Sequence, residues 1–171
     1  SLRARDLAKE AGCAVGAIYN VFGDLNDLVL AVNARTFHNL GAAVAAELAD
    51  APEDATEQLI AMAQAYHHYA AANTNRWRAL FDLERAPGED APDWYLTEMG
   101  RLFTYIATPL GTIFPNLSAE KNATLTRGLF SSVHGIVLLG LDDASAGVAA
   151  PEIDETIALI LKQISSSSQI S

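Results

Sequence analysis

The chain has 171 residues, half of them apolar, with 11 Lys+Arg against 21 Asp+Glu. That length and composition exclude a disordered tail and describe one or two compact domains with a full hydrophobic core. The net charge of −10 excludes a protein that coats nucleic acid generally, because phosphate binding runs on Lys and Arg, and it leaves room for a small local reader.

In chain order, apolar residues recur at three and four rather than at two, so the fold class is all-α. A first helix is predicted from about Leu2 to Ala11, stopped by Gly12, and a second from about Ala14 to Phe22, stopped by Gly23. A long helix follows from Leu25 to Asp50, with Asp24 as its N-cap. Pro52 closes it, since the residue before a proline leaves the helical region. The next helix runs from Glu53 to Asn73 with a core stripe of Leu59, Met62, Ala63, Tyr66 and Tyr69 or Ala70. Asn73, Thr74 and Asn75 form a polar break, and a short helix from Arg76 to Glu84 carries Trp77, Leu80 and Phe81. Ala86 to Pro92 reads as a loop. Asp93 to Ile113 is helical again, with Pro109 expected to kink it or end it early. Ser118 caps a helix that reaches Leu141, and Asp142 to Ala150 is a second loop. Pro151 starts the last helix, to which Leu159, Ile160 and Ile164 give an apolar side. The run Ser165 to Ser168 is a frayed tail.

The single cysteine, Cys13, excludes an internal disulfide framework and fits a reducing cytoplasm. The apolar stretch from Val133 to Leu141 is far too short for a membrane span, and no secretory signal is expected. Charge is uneven: residues 1–36 are neutral overall, and residues 37–171 carry the whole −10. Any approach to a polyanion is therefore made by the front.

The front has the spacing of two short helices joined by a tight glycine turn. Ala8 sits where the helices cross, Gly12 takes the left-handed turn, and Ile18 closes a small core with Leu7, Val21 and Phe22. The run from Leu7 to Gly12, then Gly16-Ala17-Ile18-Tyr19 with Phe22-Gly23, resembles the helix-turn-helix head of the TetR family of bacterial transcriptional regulators over about Leu2 to Val32. The resemblance implies that Ala14 to Asn20 is a recognition helix entering the major groove. It implies that Ala14, Val15, Gly16 and Ala17 face the DNA, Tyr19 meets a phosphate and Asn20 reads a base or the backbone, with Arg3 as a further contact. Three departures weaken the contact: Ala14 stands in place of a capping hydroxyl, Ala17 of a threonine or serine, and Leu25 of a phosphate-binding lysine. The expected salt dependence is shallow, about two or three phosphates per subunit. Family members have a helix before this pair, so the head is expected to lack its first helix in this sequence.

The later chain resembles the family's ligand-binding and dimerisation domain, most specifically a subgroup with a Trp/Val-His-Gly signature. Ser132-Val133-His134-Gly135 followed by Ile136-Val137-Leu138, and Ala72 to Arg76 with Leu80-Phe81, carry that resemblance. The expected division is residues 1–45 for the head and 46–171 for the helical domain. Tyr66, Tyr69, Trp77, Phe81, Phe103, Phe130 and His134 are the ligand-site candidates, with Trp94, Tyr95 and Tyr105 among the wider set of aromatics. A well-filled core is the alternative for each. His134 needs a polar partner on its apolar face, and Gly135 beside it permits close helix approach.

No metal site is expected. His67 and His68 diverge by about 100° around a helix, and no Cys or His partner stands at ligand spacing. No enzyme activity and no cofactor are expected either, because Ser131 or Ser132, His134 and Asp142 or Asp143 do not converge as a nucleophile and base. The expected protein is a cytoplasmic homodimer paired two-fold through its last two long helices. Its partners are palindromic double-stranded operator DNA and an apolar or aromatic small-molecule inducer. A small-molecule-binding or interaction protein that does not bind DNA is the other reading.

Overall fold

Short polar side chains set the helix starts. Asp24 Oδ1 accepts from the amide of Asp27 at 2.9 Å, and Ser118 Oγ accepts from that of Lys121 at 3.3 Å. Asp54 Oδ1 accepts from both Thr56 and Glu57, at 2.9 and 3.0 Å. Each satisfies amides that a helix start leaves without an internal partner. The computed structural model describes residues 3–81, 92–142 and 147–166, and every regular element among them is helical. These are α1 (Ala4–Glu10), α2 (Val15–Val21), α3 (Leu25–Asp50), α4 (Ala55–Ala72), α5 (Thr74–Ala79), α6 (Asp93–Ile113), α7 (Ala119–Gly140) and α8 (Ile153–Ser166), with a 3-10 turn at Ala150–Glu152 before α8.

The middle of the molecule is α4, which packs against α3, α5, α6, α7 and α8. Its eight buried residues, among them Leu59, Met62, Ala63, Tyr66 and Ala70, repeat at three and four and so reach neighbours on several sides. Leu40, Leu110, Val137, Ile153, Ile157 and Leu161 bring the other helices into the same core. Gly147, ahead of the 3-10 turn, lies against the end of α7. A Cβ on Gly147 would lie 2.6 Å from the Leu139 backbone, so only glycine fits there.

Several boundaries differ from the sequence expectation. The polar break after α4 is one residue wide: Asn73 ends α4 and starts α5, while Thr74 and Asn75 are helical. Asn73 manages this by donating its side-chain amide back to Tyr69 O at 3.1 Å. The short helix stops at Ala79 rather than at Glu84, and Glu84 lies outside the described residues, as do the loop residues 86–91 and 143–146 and Ser167 and Ser168. Pro109 does not end α6, which runs on to Ile113. Pro109 is itself buried beside Ile106 and Leu110, and burial of that face offsets the lost backbone bond. On α8 the inward stripe is Ile153, Ile157 and Leu161, and Leu159 points outward at 60% exposure. Ser165 and Ser166 are helical rather than frayed, their hydroxyls donating to Leu161 O and Gln163 O.

Candidate functional site

The front forms two short helices closed by a Schellman turn. Cys13 N donates to Ala8 O at 2.9 Å and Gly12 N to Lys9 O at 3.3 Å, with Gly12 at φ +67°. Ala8 and Ile18 are buried where α1 crosses α2, and Leu7 and Phe22 are half-buried beside them. Val21 is 74% exposed and takes no part in that small core, because it lies on the far side of a seven-residue helix. Val15, Gly16, Tyr19 and Asn20 recur along one outward face of α2, with Ala14 and Ala17 exposed at its edges and Arg3 exposed at the start of α1. No side chain caps α2 at Ala14. Between α2 and α3 the chain bends by 67°.

Behind the head, α3 enters the body and becomes one wall of an apolar cavity of about 280 Å³. That volume is at the small end of ligand sites, roughly 300–1,000 Å³. Phe37, Leu40 and Val44 line it from α3, and Leu59, Met62, Ala63 and Tyr66 from α4. Leu80 and Phe81 follow α5. Tyr95, Met99, Leu102, Phe103, Tyr105 and Ile106 come from α6, Leu129, Phe130 and Val133 from α7, and Leu161 from α8. Among the described residues no charged side chain is in this lining, which suits an uncharged, apolar molecule.

Of the seven ligand-site candidates, Tyr66, Phe81, Phe103 and Phe130 come together on the cavity wall, and Tyr69, Trp77 and His134 are not part of it. Tyr69 instead donates to Thr36 O at 3.4 Å. Trp77 is fully buried behind the wall, edge-on to Tyr66 and Phe81 at 5.9 and 5.7 Å between ring centroids. Trp94 is 41% exposed and stands away. The contribution of α3 was missed in the sequence, although Phe37, Leu40 and Val44 at i, i+3 and i+7 are an inward stripe.

His134 finds its polar partner in Tyr66: the phenol oxygen and Nδ1 are 2.7 Å apart. Around them stand the rings of Trp77, Phe81 and Phe130, all uncharged. Burial pushes the Tyr66 phenol well above its usual range, and the nearby Trp77 indole offsets this only in part; the indole N–H itself has no well-aligned partner. Burial also lowers the pKa of His134 below its ordinary 6.5. The unfolded chain therefore binds this proton more readily than the folded one. Stability is complete above pH 6.5 and is lost as pH falls from there through the folded pKa. Between about pH 7 and 5 the thermal midpoint of the native protein is expected to drop more steeply than that of His134→Gln. Parallel curves would mean that His134 titrates normally.

Ser132 Oγ donates to Gly128 O at 2.9 Å and His134 Nδ1 is engaged by Tyr66, so the pair does not form a nucleophile and base. No single helix among the described residues is long and apolar enough to cross a membrane.

Residues 59–164, more than half of the chain, match the family model for the Tetracyclin repressor-like C-terminal domain. Two solved structures share the fold. One is a protein of unknown function from Rhodococcus sp. RHA1, 21% identical, with a TM-score of 0.74 over 95% of this chain and 84% of that one. The other is SCO4313, which carries the provisional name of a regulatory protein; it is 17% identical, with a TM-score of 0.71 over 94% of this chain and 84% of that one. No curated protein matches the chain by sequence.

Proposed function

The chain belongs to the TetR family, and from that premise we propose that it is a ligand-responsive transcriptional regulator of the cytoplasm. In this reading it is a repressor that holds a palindromic operator as a homodimer and releases it when a small apolar or aromatic inducer enters the cavity. The observation that carries the reading is α3. One unbroken helix of 26 residues follows the head directly and supplies Phe37, Leu40 and Val44 to the cavity wall. The proposed division into a head, residues 1–45, and a ligand and dimer domain, residues 46–171, falls inside this helix.

A ligand shifts an equilibrium only by its differential affinity for the two states. Asn33, fully buried on α3, donates to Ala79 O at 3.0 Å, and Tyr95 donates to Leu80 O at 2.9 Å. Leu80 and Phe81 are cavity wall beside Ala79, so Asn33 ties α3 at the edge of the cavity and is the point about which a ligand pressing on Phe37, Leu40 and Val44 turns the helix. The test is a gel shift of the full-length protein with DNA flanking its own gene, with and without apolar and aromatic candidates. Affinity is expected to fall with salt at a log–log slope of roughly −2 to −3 per subunit, that of two or three neutralised phosphates. A slope implying eight or more contacts would overturn this view of the head surface.

The dimer is assigned to α7 and α8. Gly128, Ser132, Gly135 and Leu139 follow one outward face of α7, and a Cβ on either glycine would meet nothing within 4 Å in this chain. Leu138, Leu139 and, on α8, Leu159 are 38%, 51% and 60% exposed. In this reading the approach that Gly135 permits is to a second copy. Gly135→Arg is expected to turn the dimer into a monomer of unchanged helicity in sedimentation velocity. A persisting dimer would put the interface elsewhere.

A second reading, a helical small-molecule-binding protein that does not bind DNA, is favoured by the bare start of α2, where Ala14 supplies no cap. The absence of any retarded band at low salt would establish it over the first.

A further inference from the structure

On the side of α4 that faces α8, three side chains of metal-ligating types meet. His67 and His68 are neighbours on α4, and Asp154 is the second residue of α8. His67 Nδ1 lies 2.7 Å from Asp154 Oδ1, and His68 Nε2 lies 2.6 Å from Oδ2. One carboxylate thus joins both imidazoles, each through a different oxygen, and donor atoms of all three residues lie within 4.8 Å of one another. Neighbours on a helix diverge by about 100°, which is why a shared ion was not expected from the sequence. The two histidines overcome that angle by using different nitrogens, the near one on buried His67 and the far one on exposed His68.

We propose that His67, His68 and Asp154 bind one divalent transition-metal ion of the zinc class, which clamps α8 onto α4. Two imidazole nitrogens and one carboxylate oxygen are the donor set of such ions, whereas Mg²⁺ and Ca²⁺ prefer oxygen throughout. Bonds of about 2.0–2.2 Å to a tetrahedral ion put its donors roughly 3.3–3.5 Å apart. The carboxylate therefore moves back by less than about 1 Å from its present hydrogen bonds, and the exposed His68 ring follows. Each ring turns a lone pair to the ion, its proton passing to the other nitrogen.

Solvent reaches the site, since the side chains of His68 and Asp154 are 60% and 35% exposed; water completes the coordination. The carboxyl is held below its ordinary range: burial works against this, and the hydrogen bonds and electrostatic attraction of His67 and His68 together outweigh burial. Two further bonds already align the seam. Gln64 Nε2 donates to Asp154 O at 3.4 Å, and Lys162 pairs with Glu57 at 3.4 Å, each tying α4 to α8.

The test is a calorimetric titration of ZnCl₂ into untagged, chelator-stripped full-length protein near neutral pH. One ion per chain is expected, with Co²⁺ in its place giving the visible band of a tetrahedral nitrogen and oxygen site. His68→Ala, an exposed change that leaves the core alone, and Asp154→Asn are each expected to weaken binding at least about tenfold. His38→Ala, at an exposed histidine on α3, is expected to leave it unchanged. No saturable uptake, uptake undiminished by His68→Ala, or equal loss with His38→Ala would each overturn the assignment.

Discussion

A protein carrying Tyr19→Ala and Asn20→Ala together is expected to lose about 100-fold or more of its operator affinity while keeping its helicity and its dimer. Both side chains stand on the exposed face of α2, Tyr19 at 49% exposure, and neither supports the small core that Ala8 and Ile18 form. Their removal therefore subtracts contacts with DNA and leaves the head folded. A side-chain contact to a base is worth about 1–3 kcal/mol, and with a phosphate contact beside it the pair reaches about 3 kcal/mol, the equivalent of a hundredfold. The head has few cations on this face to make up the loss. Fluorescence anisotropy on operator DNA, with circular dichroism and sedimentation on the same samples, measures both halves. Unchanged affinity would remove α2 from the DNA interface.

Trp77→Ala is expected to cost about 3–5 kcal/mol of stability, which in a protein of this size lowers the thermal midpoint by roughly 6–20 °C. The indole is fully buried, and Tyr66, Phe81 and His134 pack their rings around it at 5.9, 5.7 and 5.2 Å. Alanine leaves a void that three rings, from α4, α7 and the turn after α5, cannot all collapse into. Trp77→Phe is expected to cost only about 1–2 kcal/mol, because the indole N–H has no well-aligned partner to lose. Differential scanning calorimetry of both variants separates volume from polarity. Equal losses would show that the N–H is engaged after all.

Local features were the ones that could be read from residue order. Gly12, Asp24 and Ser118 act through bonds that span three to five positions, and each does in the structure what its type and position imply. Features decided by several helices at once were not. Nothing in the order of residues says that burial of Pro109 outweighs a missing amide, or that Leu159 turns outward while Ile157 and Leu161 turn in. The cavity shows the same division. Aromatic residues were readily picked out, but whether a ring lines the space, as Phe103 does, or braces it from behind, as Trp77 does, depends on packing. The approach of His67 and His68 to Asp154 spans more than 80 residues of chain and was therefore out of sight of any spacing rule.

The tether from Asn33 to Ala79 makes α3 a two-armed lever. At 1.5 Å per residue, the arm from Asn33 to Leu25 is about 12 Å and the arm to Val44 about 17 Å. With the fulcrum at Asn33, an outward push at Val44 would arrive at the head reversed in direction and at about 0.7 of its amplitude. In the proposed dimer, a ligand that widens the cavity would therefore draw the two heads one way while the cavity walls move the other. Sliding the fulcrum one turn along the helix would change the gearing without touching either the ligand or the DNA.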